Sequence, residues 1–444
     1  MRPSGRGIAR KHTESYNLGS NPAGSLNMPK RVLLCLALLF TMFAACSAQT
    51  AATTGEKKSA KPRVVVLAVN GAEWDILRPL LIQGEMPNLK RVLDNGTFGK
   101  LKTLSAPNCP KVFTTFATSV PPEENGITGF VVGGQTASTN MLKVEPLWSI
   151  LSKHGVSVGM ANVPATFPVM PVNGYMISGM LTRGKECEDG VLCAPKLSEV
   201  EGGDAVYPRS MVSELEKNIG DFRIDCSRMP NLEDLQGKET QEVNAWLDGV
   251  QKIREQQTKL FDYLLSNHPT DFTMFDQSCE DRVGHWLYPI QPFNVGYNPK
   301  INSVRVDAFP DQYRAMDKVL GTILQHVDEN TYFFLLSDHG IKPLRAFGDE
   351  HGHHQHGLTP STTPVIAKHD YDDGDDVPGA FAAMGPGIKK GVEMTGFEVT
   401  NYDIAPTILH IFGIEAPKQM RGHVLTAIFE AGKPDQTAKM QMSH

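Results

Sequence analysis

Three apolar runs of the sequence are followed by residues that bind divalent metals in proteins. Asn70 follows "RVVVLAV", Asp281 and His285 follow "DFTMFDQ", and Asp338 and His339 follow "TYFFLLS". Asp281 and His285 are four residues apart, so a helix would place both on one face. Carboxylates together with imidazoles suit borderline ions such as Zn²⁺. A single Ser-Asp-His-Gly stretch also serves as a plain turn, but the two Asp/His groups together predict a metal site.

The elements that position these residues alternate between apolar runs and helical patterns. "RVVVLAV" is a continuous β-branched run, as in a strand buried on both faces of a parallel sheet, and "DFTMFDQ" is predicted to be another buried strand. "PNLKRVLDNG" and "QYRAMDKVLGTILQHV" have helical periodicity, and we predict that the first of these helices ends with Gly96 as its cap. The alternation predicts an α/β fold with a mostly parallel central sheet and helices on both faces. In such sheets ligands bind at the carboxyl ends of the strands, where the metal-binding residues lie.

The domain organisation follows from shifts in composition along the 444 residues. We predict a core of residues 62–184 and 268–430, an inserted cap at 185–267, and a flexible tail at 431–444. The net charge is −6, and no basic stretch occurs beyond the N-terminus. This charge pattern argues against binding to a nucleic-acid polymer, because nothing in the core would track phosphates. It predicts nothing about the oligomeric state.

The N-terminal region has the pattern of a targeting segment. Lys30 and Arg31 precede "VLLCLALLFTMFAA", which is too short to span a bilayer and has the size of a secretory signal core. We predict a signal in residues 1–48, with Met28 as the true start, and a linker at 49–61. Cleavage is expected after Ala48 or before Cys46, where a lipid anchor would be attached. The protein is therefore expected to be exported, either to a bacterial periplasm or to a membrane as a lipoprotein.

The cysteine count leaves one thiol over. Two of the seven cysteines belong to the targeting segment. Cys187 and Cys193 bracket a short loop that we predict to be closed by a disulfide, and Cys226 and Cys279 are a possible second pair. If both pairs form, Cys109 in "SAPNCPKVFTTFATS" is the free thiol. It is either a small core residue or a reactive group.

Eight stretches taken in order resemble the alkaline phosphatase superfamily, in its type I phosphodiesterase and nucleotide pyrophosphatase branch. The resemblance runs from about Arg63 to Phe429. Its stretches are "VLAVNGAEWDILRPLL", "MPNLKRVLDNGTFGKL", "APNCPKVFTTFATSVPPEENGITGF", "ANVPATFPVMPVNGYMISGM", "DRVGH", "SDHG", "MGPGIKKG" and "YDIAPTILHIFGI".

The resemblance implies two zinc ions at the sheet edge with a nucleophile between them. One ion would be bound by Asp281, His285 and a downstream histidine. The other would be bound by Asp338, His339 and the residue that ends the first strand, Asn70. The two metals would clamp the attacking and leaving oxygens of an in-line displacement.

The nucleophile of the family, Thr or Ser in most relatives, falls on Cys109 at the start of a helix, where helix amides favour anions. For the third histidine we choose His369, and the alternative ligands are His351, His353, His354 and His356. Lys111 is a candidate contact to a phosphate oxygen, and the turn at Asn162 is a candidate pocket wall.

Two positions depart from the family pattern. Asn70 replaces an aspartate, and an amide oxygen is a poorer zinc ligand than a carboxylate. Cys109 replaces an alcohol, and a thiolate is a strong, soft ligand. The sulfatase branch uses a cysteine in Cys-x-Pro-x-Arg, whereas this chain has Cys109-Pro110-Lys111-Val112-Phe113 and no arginine. We therefore expect an exported dizinc phosphohydrolase acting on small phosphodiesters or nucleotide-like substrates. A metal-binding pseudoenzyme and a phospho-group transferase are the alternatives.

Overall fold

The computed structural model describes residues 61–184, 195–226, 239–287, 307–341, 377–396 and 398–431. Predictions about the targeting segment, Cys46, the Cys187–Cys193 disulfide, His369 and the other four loop histidines lie outside these residues. His285 belongs to a described helix, but its side chain lies outside the description. Among the described residues, no helix is both long and apolar enough to cross a bilayer.

A single large sheet forms the centre of the fold. Its strands lie in the order β11-β2-β10-β9-β1-β8-β5-β6-β7, and β12 also pairs with β2. They span Arg63–Val69 (β1), Gly96–Lys102 (β2), Val158–Asn162 (β5), Gly174–Gly179 (β6), Val206–Tyr207 (β7), Phe272–Gln277 (β8), Thr331–Leu336 (β9), Gly379–Met384 (β10), Val392–Glu393 (β11) and Val399–Thr400 (β12). A separate hairpin joins Val131–Val132 (β3) and Gln135–Thr136 (β4).

Strand pairing within the sheet is mostly parallel. β1 pairs in parallel with β8 and β9, and β5 pairs in parallel with β8 and β6. β10 is antiparallel to both β9 and β2, and β7 is antiparallel to β6. All residues of β8 are buried, as predicted for a strand covered on both faces. The predicted mostly parallel sheet is confirmed.

Helices cover both faces of the sheet. They span Trp74–Ile82 (α1), Pro87–Asp94 (α2), Cys109–Thr118 (α3), Pro122–Asn125 (α4), Leu147–Lys153 (α5), Met211–Asn218 (α6), Glu239–Asn267 (α7), Cys279–Leu287 (α8), Pro310–Leu324 (α9) and Ile404–Ile411 (α10). One apolar core includes side chains of α1, α2, α6, α7, α8 and α9, and the other includes those of α3, α5 and α10. The sheet therefore separates two cores, as in other layered α/β folds.

Two details concern boundaries predicted from the sequence. The predicted insertion contributes β7, α6 and α7 to this architecture, and Phe261 of α7 stacks on Phe275 of β8 with ring centroids 4.4 Å apart. Helix α2 ends at Asp94, so the prediction of Gly96 as its cap is wrong. Gly96 instead begins β2, where an added Cβ would lie 2.2 Å from the carbonyl oxygen of Ala383 in the paired strand.

Candidate active site

The metal-binding residues predicted from the sequence converge at one edge of the sheet. Asn70 follows β1, Asp338 and His339 follow β9, and Asp281 lies in α8, which starts two residues after β8. Because β9, β1 and β8 are parallel neighbours, their carboxyl ends meet there. Asn70, Asp281, Asp338 and His339 are all buried.

Helix α3 brings Cys109 to the same edge. Cys109 is the first residue of the helix, and its neighbour Asn108 caps the N-terminus by accepting a hydrogen bond from the Lys111 amide at 3.2 Å. Every residue of α3 except Lys111 is buried, so the helix is fixed by the core. Cys109 is 2% exposed, and its thiol is not in a disulfide.

The Cys109 thiol lies among groups that can share a metal ion. Ligand atoms of Cys109, Asp338 and His339 all lie within 4.8 Å of one another. The thiol sulfur is 4.0 Å from Nε2 of His339. The amide nitrogen of Asn70 donates to the same sulfur at 3.5 Å, which adds the end of β1 to the cluster.

The turn that carries Asp338 and His339 is held from several sides. Thr103 donates to the Asp338 carbonyl at 2.6 Å, and Ser337 donates to the His339 carbonyl at 2.7 Å. Nδ1 of His339 lies 3.0 Å from the carbonyl oxygen of Gly340. If Nδ1 carries the proton, Nε2 is left with a lone pair facing the cluster, the arrangement usual for a metal-binding histidine. Gly340 has to be a glycine, because a Cβ there would lie 2.5 Å from the Val377 side chain.

Asp281 lies beside this cluster and carries a second set of charged neighbours. Asp281 packs against Gly71, the residue after Asn70. The contact is close enough that a Cβ added to Gly71 would lie 3.4 Å from Oδ1 of Asp281. On its other side, Oδ2 of Asp281 is 3.5 Å from Nη1 of Arg282. Nη2 of Arg282 is 3.6 Å from Oδ2 of Asp225.

A disulfide joins the segment that contains Asp225 to helix α8. Cys226, next to Asp225, is bonded to Cys279, the first residue of α8. Ser278 also donates to Oδ1 of Asp225 at 2.5 Å. The open possibility of a Cys226–Cys279 pair is thereby confirmed.

Burial and negative charge control protonation at the site. Burial raises the pKa of the Cys109 thiol well above its usual value, and Asp338 and Asp281 raise it further, against a smaller lowering by Arg282. Burial alone lowers the pKa of His339, but Asp338 outweighs it and the pKa rises to about 9. Without a metal, therefore, the thiol is neutral and the imidazole is protonated at neutral pH.

The site has the properties expected of a pocket for cations. Among the described residues, Oδ1 of Asn70 and Oδ1 of Asp276 are buried without hydrogen-bond partners, and Oδ2 of Asp338 lies 3.1 Å from Nε2 of His339. Burial, reinforced by Asp338 and Asp225, also raises the pKa of Asp276 well above its usual value. Unpaired buried oxygens are costly unless an ion or a proton compensates them. Sulfur, imidazole and carboxylate donors in one cluster fit a zinc-class ion.

Two predicted substrate contacts have different surroundings. The ammonium group of Lys111 donates to the backbone carbonyls of Ser105 and Ala106 at 2.6 and 3.3 Å, so it is engaged by the preceding loop. Asn162 ends β5 at the same sheet edge, with a φ of 65°. It is 4% exposed, and within the described part of the chain both its side-chain polar atoms lack hydrogen-bond partners. Both residues remain predictions as substrate contacts.

Sequence reasoning missed three charged residues of the site: Asp225, Asp276 and Arg282. Arg282 adjoins a predicted ligand, and an arginine next to a ligand on a helix could have signalled a role. Asp276 interrupts an apolar run, and a carboxylate inside a buried strand is the usual signal of an unusual environment. For Asp225 the signal was the possible Cys226–Cys279 pair, which brings the residue next to Cys226 to the start of α8.

The sequence and the fold together place the chain in the alkaline phosphatase superfamily. The type I phosphodiesterase/nucleotide pyrophosphatase family matches residues 64–390. This match covers most of the chain, so the chain belongs to that family, and the predicted resemblance is confirmed.

Individual relatives are distant. The chain is 28% identical over 167 residues to the Caenorhabditis elegans protein named "Putative extracellular sulfatase Sulf-1 homolog", a match that covers 34% of this chain and 21% of that protein. A solved structure titled "putative sulfatase" from Bacteroides thetaiotaomicron is 13% identical with a TM-score of 0.51, covering 84% of this chain and 76% of that one. Human ectonucleotide pyrophosphatase/phosphodiesterase 5 is 14% identical with a TM-score of 0.45, covering 83% of this chain and all of that one. At these identities the sulfatase structure supports the fold alone.

Proposed function

We propose that the protein is an exported dizinc phosphohydrolase that cleaves small phosphodiesters or nucleotide-like substrates, with Cys109 as its nucleophile. One observation carries the proposal: a free, buried thiol begins a helix with a carboxylate and an imidazole within 4.8 Å of its sulfur. Family membership supports phosphoester chemistry.

The residues available to hold the metals divide into two groups. Asp338, His339, Cys109 and Asn70 would hold one ion, and Asp281, His285 and His369 would hold the other. Zinc-class ions at such a site supply Lewis-acid stabilisation of charged oxygens and lower the pKa of a bound thiol. That positive charge is what the neutral Cys109 thiol needs, because only the thiolate is nucleophilic.

The side chains then have defined roles in a two-step displacement. The Cys109 thiolate attacks phosphorus, so a sulfur–phosphorus bond forms, and the bond to the leaving oxygen breaks. The leaving alkoxide takes a proton from solvent. Water then attacks the phosphorus, the sulfur–phosphorus bond breaks, and a phosphomonoester, a proton and the thiolate are released. The Asn70 amide, which donates to the sulfur, stabilises the thiolate in both steps.

Asn70 and Cys109 are understandable as a matched pair. An aspartate beside an alcohol and an asparagine beside a thiolate carry the same total charge when the alcohol is neutral. A second carboxylate next to the thiolate would instead add repulsion between two buried anions. We infer that Asn70 permits a nucleophile that stays ionised while the metals are bound, in a site that already contains Asp281 and Asp338.

Sulfate-ester hydrolysis is the second candidate, favoured by the cysteine at the nucleophile position and by the name of the curated relative. It would require Cys109 to be oxidised by dioxygen to formylglycine. That modification occurs in Cys-x-Pro-x-Arg, whereas here the proline, Pro110, directly follows Cys109 and Phe113 stands in place of the arginine.

The experiment compares hydrolysis of an aryl phosphodiester, an aryl phosphomonoester and an aryl sulfate by purified, zinc-loaded protein. We expect the diester to be cleaved fastest, Cys109→Ala to be inactive with its metal retained, and Cys109→Ser to keep measurable activity because the same site can activate an alcohol. The mass of the Cys109 peptide separates thiol from formylglycine. A zinc-loaded protein that cleaves none of the three substrates would refute the proposal in favour of a pseudoenzyme. Transfer of the group to an added alcohol without release to water would favour a transferase.

A further inference from the structure

The start of helix α3 offers few donors for the oxygens of a substrate. Pro110 has no amide hydrogen, and the Lys111 amide is already bonded to the Asn108 side chain. Of the first three backbone amides of α3, only that of Cys109 is neither missing its hydrogen nor bonded to the Asn108 side chain. A phosphoryl group has two or three non-bridging oxygens that carry negative charge, so another donor is needed close to Cys109.

Arg282 is a cationic side chain beside this centre. It is 8% exposed, and its guanidinium lies between Asp281 and Asp225 at 3.5 and 3.6 Å. Charge-assisted hydrogen bonds between arginine and carboxylate are usually about 2.7–2.9 Å long. Both contacts are therefore loose, and Nη2 has no hydrogen-bond partner among the residues that the structure describes.

The guanidinium is connected to the nucleophile through neighbouring residues. Asp281, its partner, lies against Gly71, the residue after Asn70. Asn70 in turn donates to the sulfur of Cys109 at 3.5 Å.

A second buried arginine shows the contrasting arrangement. Nη2 of Arg254 in α7 donates to Glu280 at 3.1 Å and to Gln312 at 2.8 Å. These are ordinary hydrogen-bond lengths within the protein. Arg254 has the features of a structural arginine, whereas Nη2 of Arg282 retains donor capacity.

We propose that Arg282 binds a non-bridging oxygen of the phosphoryl group during turnover, and that Asp225 positions its guanidinium. The proposal rests on the proposed function and adds a catalytic residue to it. Arginine suits this role because its planar fork matches phosphate oxygens in two-point contacts. Asp225 is itself fixed by Ser278 and by the neighbouring disulfide, so the guanidinium is held from the segment before α7.

The test measures binding of inorganic phosphate to zinc-loaded protein by calorimetry, in a Cys109→Ala background in which no turnover occurs. Arg282→Lys keeps the charge but loses the fork, and we expect its phosphate affinity to fall roughly 10- to 100-fold. Arg282→Met combined with Asp225→Asn removes the cation and one buried carboxylate together. Its phosphate affinity should fall at least as far as that of Arg282→Lys. Asp225→Asn alone should weaken phosphate binding less than Arg282→Lys. Zinc content should equal that of the parent in all three.

Arg254→Lys is the matched control, a buried arginine changed in the same way, and it should leave phosphate affinity unchanged even if the protein becomes less stable. In the otherwise unaltered protein, Arg282→Lys should lower kcat with diester more than it raises KM, because the contact strengthens as charge develops. Parent-like phosphate affinity in Arg282→Lys would overturn the proposal, as would loss of zinc in place of loss of phosphate. If phosphate binding depends on Arg282 while no ester is cleaved, the inference stands and the hydrolase proposal fails.

Discussion

The disulfide between Cys226 and Cys279 offers a test of how the site is supported. Its two cysteines are 53 residues apart in the sequence. Closing a loop of that length removes about 14 cal/mol/K of entropy from the unfolded chain, which corresponds to about 4 kcal/mol of stability at 25 °C. Domains are usually stable by only about 5–15 kcal/mol, so this one bond is a large part of the total.

The double variant Cys226→Ala/Cys279→Ala removes the bond without leaving an orphan thiol. We expect its free energy of unfolding, measured by urea denaturation of the metal-free protein, to be lower by about 3–4 kcal/mol. We also expect zinc affinity to fall, because Asp225 and α8 are no longer joined beside Asp281. Cys109→Ser, which changes a cysteine outside the bond, is the control for the effect of thiol removal on the free energy of unfolding of the metal-free protein, and it is not used for zinc affinity because Cys109 is a proposed ligand. A double variant that unfolds within about 1 kcal/mol of the parent would refute the loop-closure reasoning.

Three further predictions concern the metal ligands. Asn70→Asp should strengthen zinc binding by as much as about 4 kcal/mol, the interaction of two unit charges near a protein surface. Zinc affinity is measured by competition with a chelator. An unchanged or weaker affinity would mean that Asn70 is not a ligand. Asp338→Ala should lose one of two zinc ions by elemental analysis, and should lower activity by more than the roughly 100-fold that loss of an outer-shell partner costs; full metal content would contradict its role. His339 has a pKa raised from 6.5 to about 9, so its contribution to the stability of the metal-free protein should be complete below pH 6.5 and lost as pH rises toward 9. Thermal unfolding measured across that pH range tests this prediction. His339→Gln should abolish the part of the pH dependence of stability that His339 contributes.

The sequence was most informative where a local pattern has one structural meaning. Runs rich in apolar residues predicted β1, β8 and β9, and the rule that parallel strands end at a common edge placed Asn70, Asp281 and Asp338 near one another. The structure shows that convergence. The metal-binding role of these residues remains a prediction.

What the sequence could not predict depends on contacts between distant segments. The antiparallel placement of β10 depends on which strand edges are free once the others have paired, and no residue within Gly379–Met384 encodes it. Arg282 acquires its unusual position only because Asp225 is brought to α8 by a disulfide. Likewise, the sequence does not show that the Lys111 amide is unavailable as a donor near Cys109, because this depends on its hydrogen bond to the Asn108 side chain.

The order of strands in the sheet has a consequence for how the chain folds. β10 lies between β2 and β9 and pairs Gly379 with Leu101, so the sheet is completed only when a segment near the C-terminal end of the chain inserts between these two strands. Pairings of such long range make folding slow, and until they form, β2 and β9 have exposed edges that are prone to aggregation. The Gly340 amide donates to Val377 at 2.9 Å, immediately before β10, so the turn bearing Asp338 and His339 is secured by the same late segment. Assembly of the proposed metal site is therefore expected to be among the last events of folding.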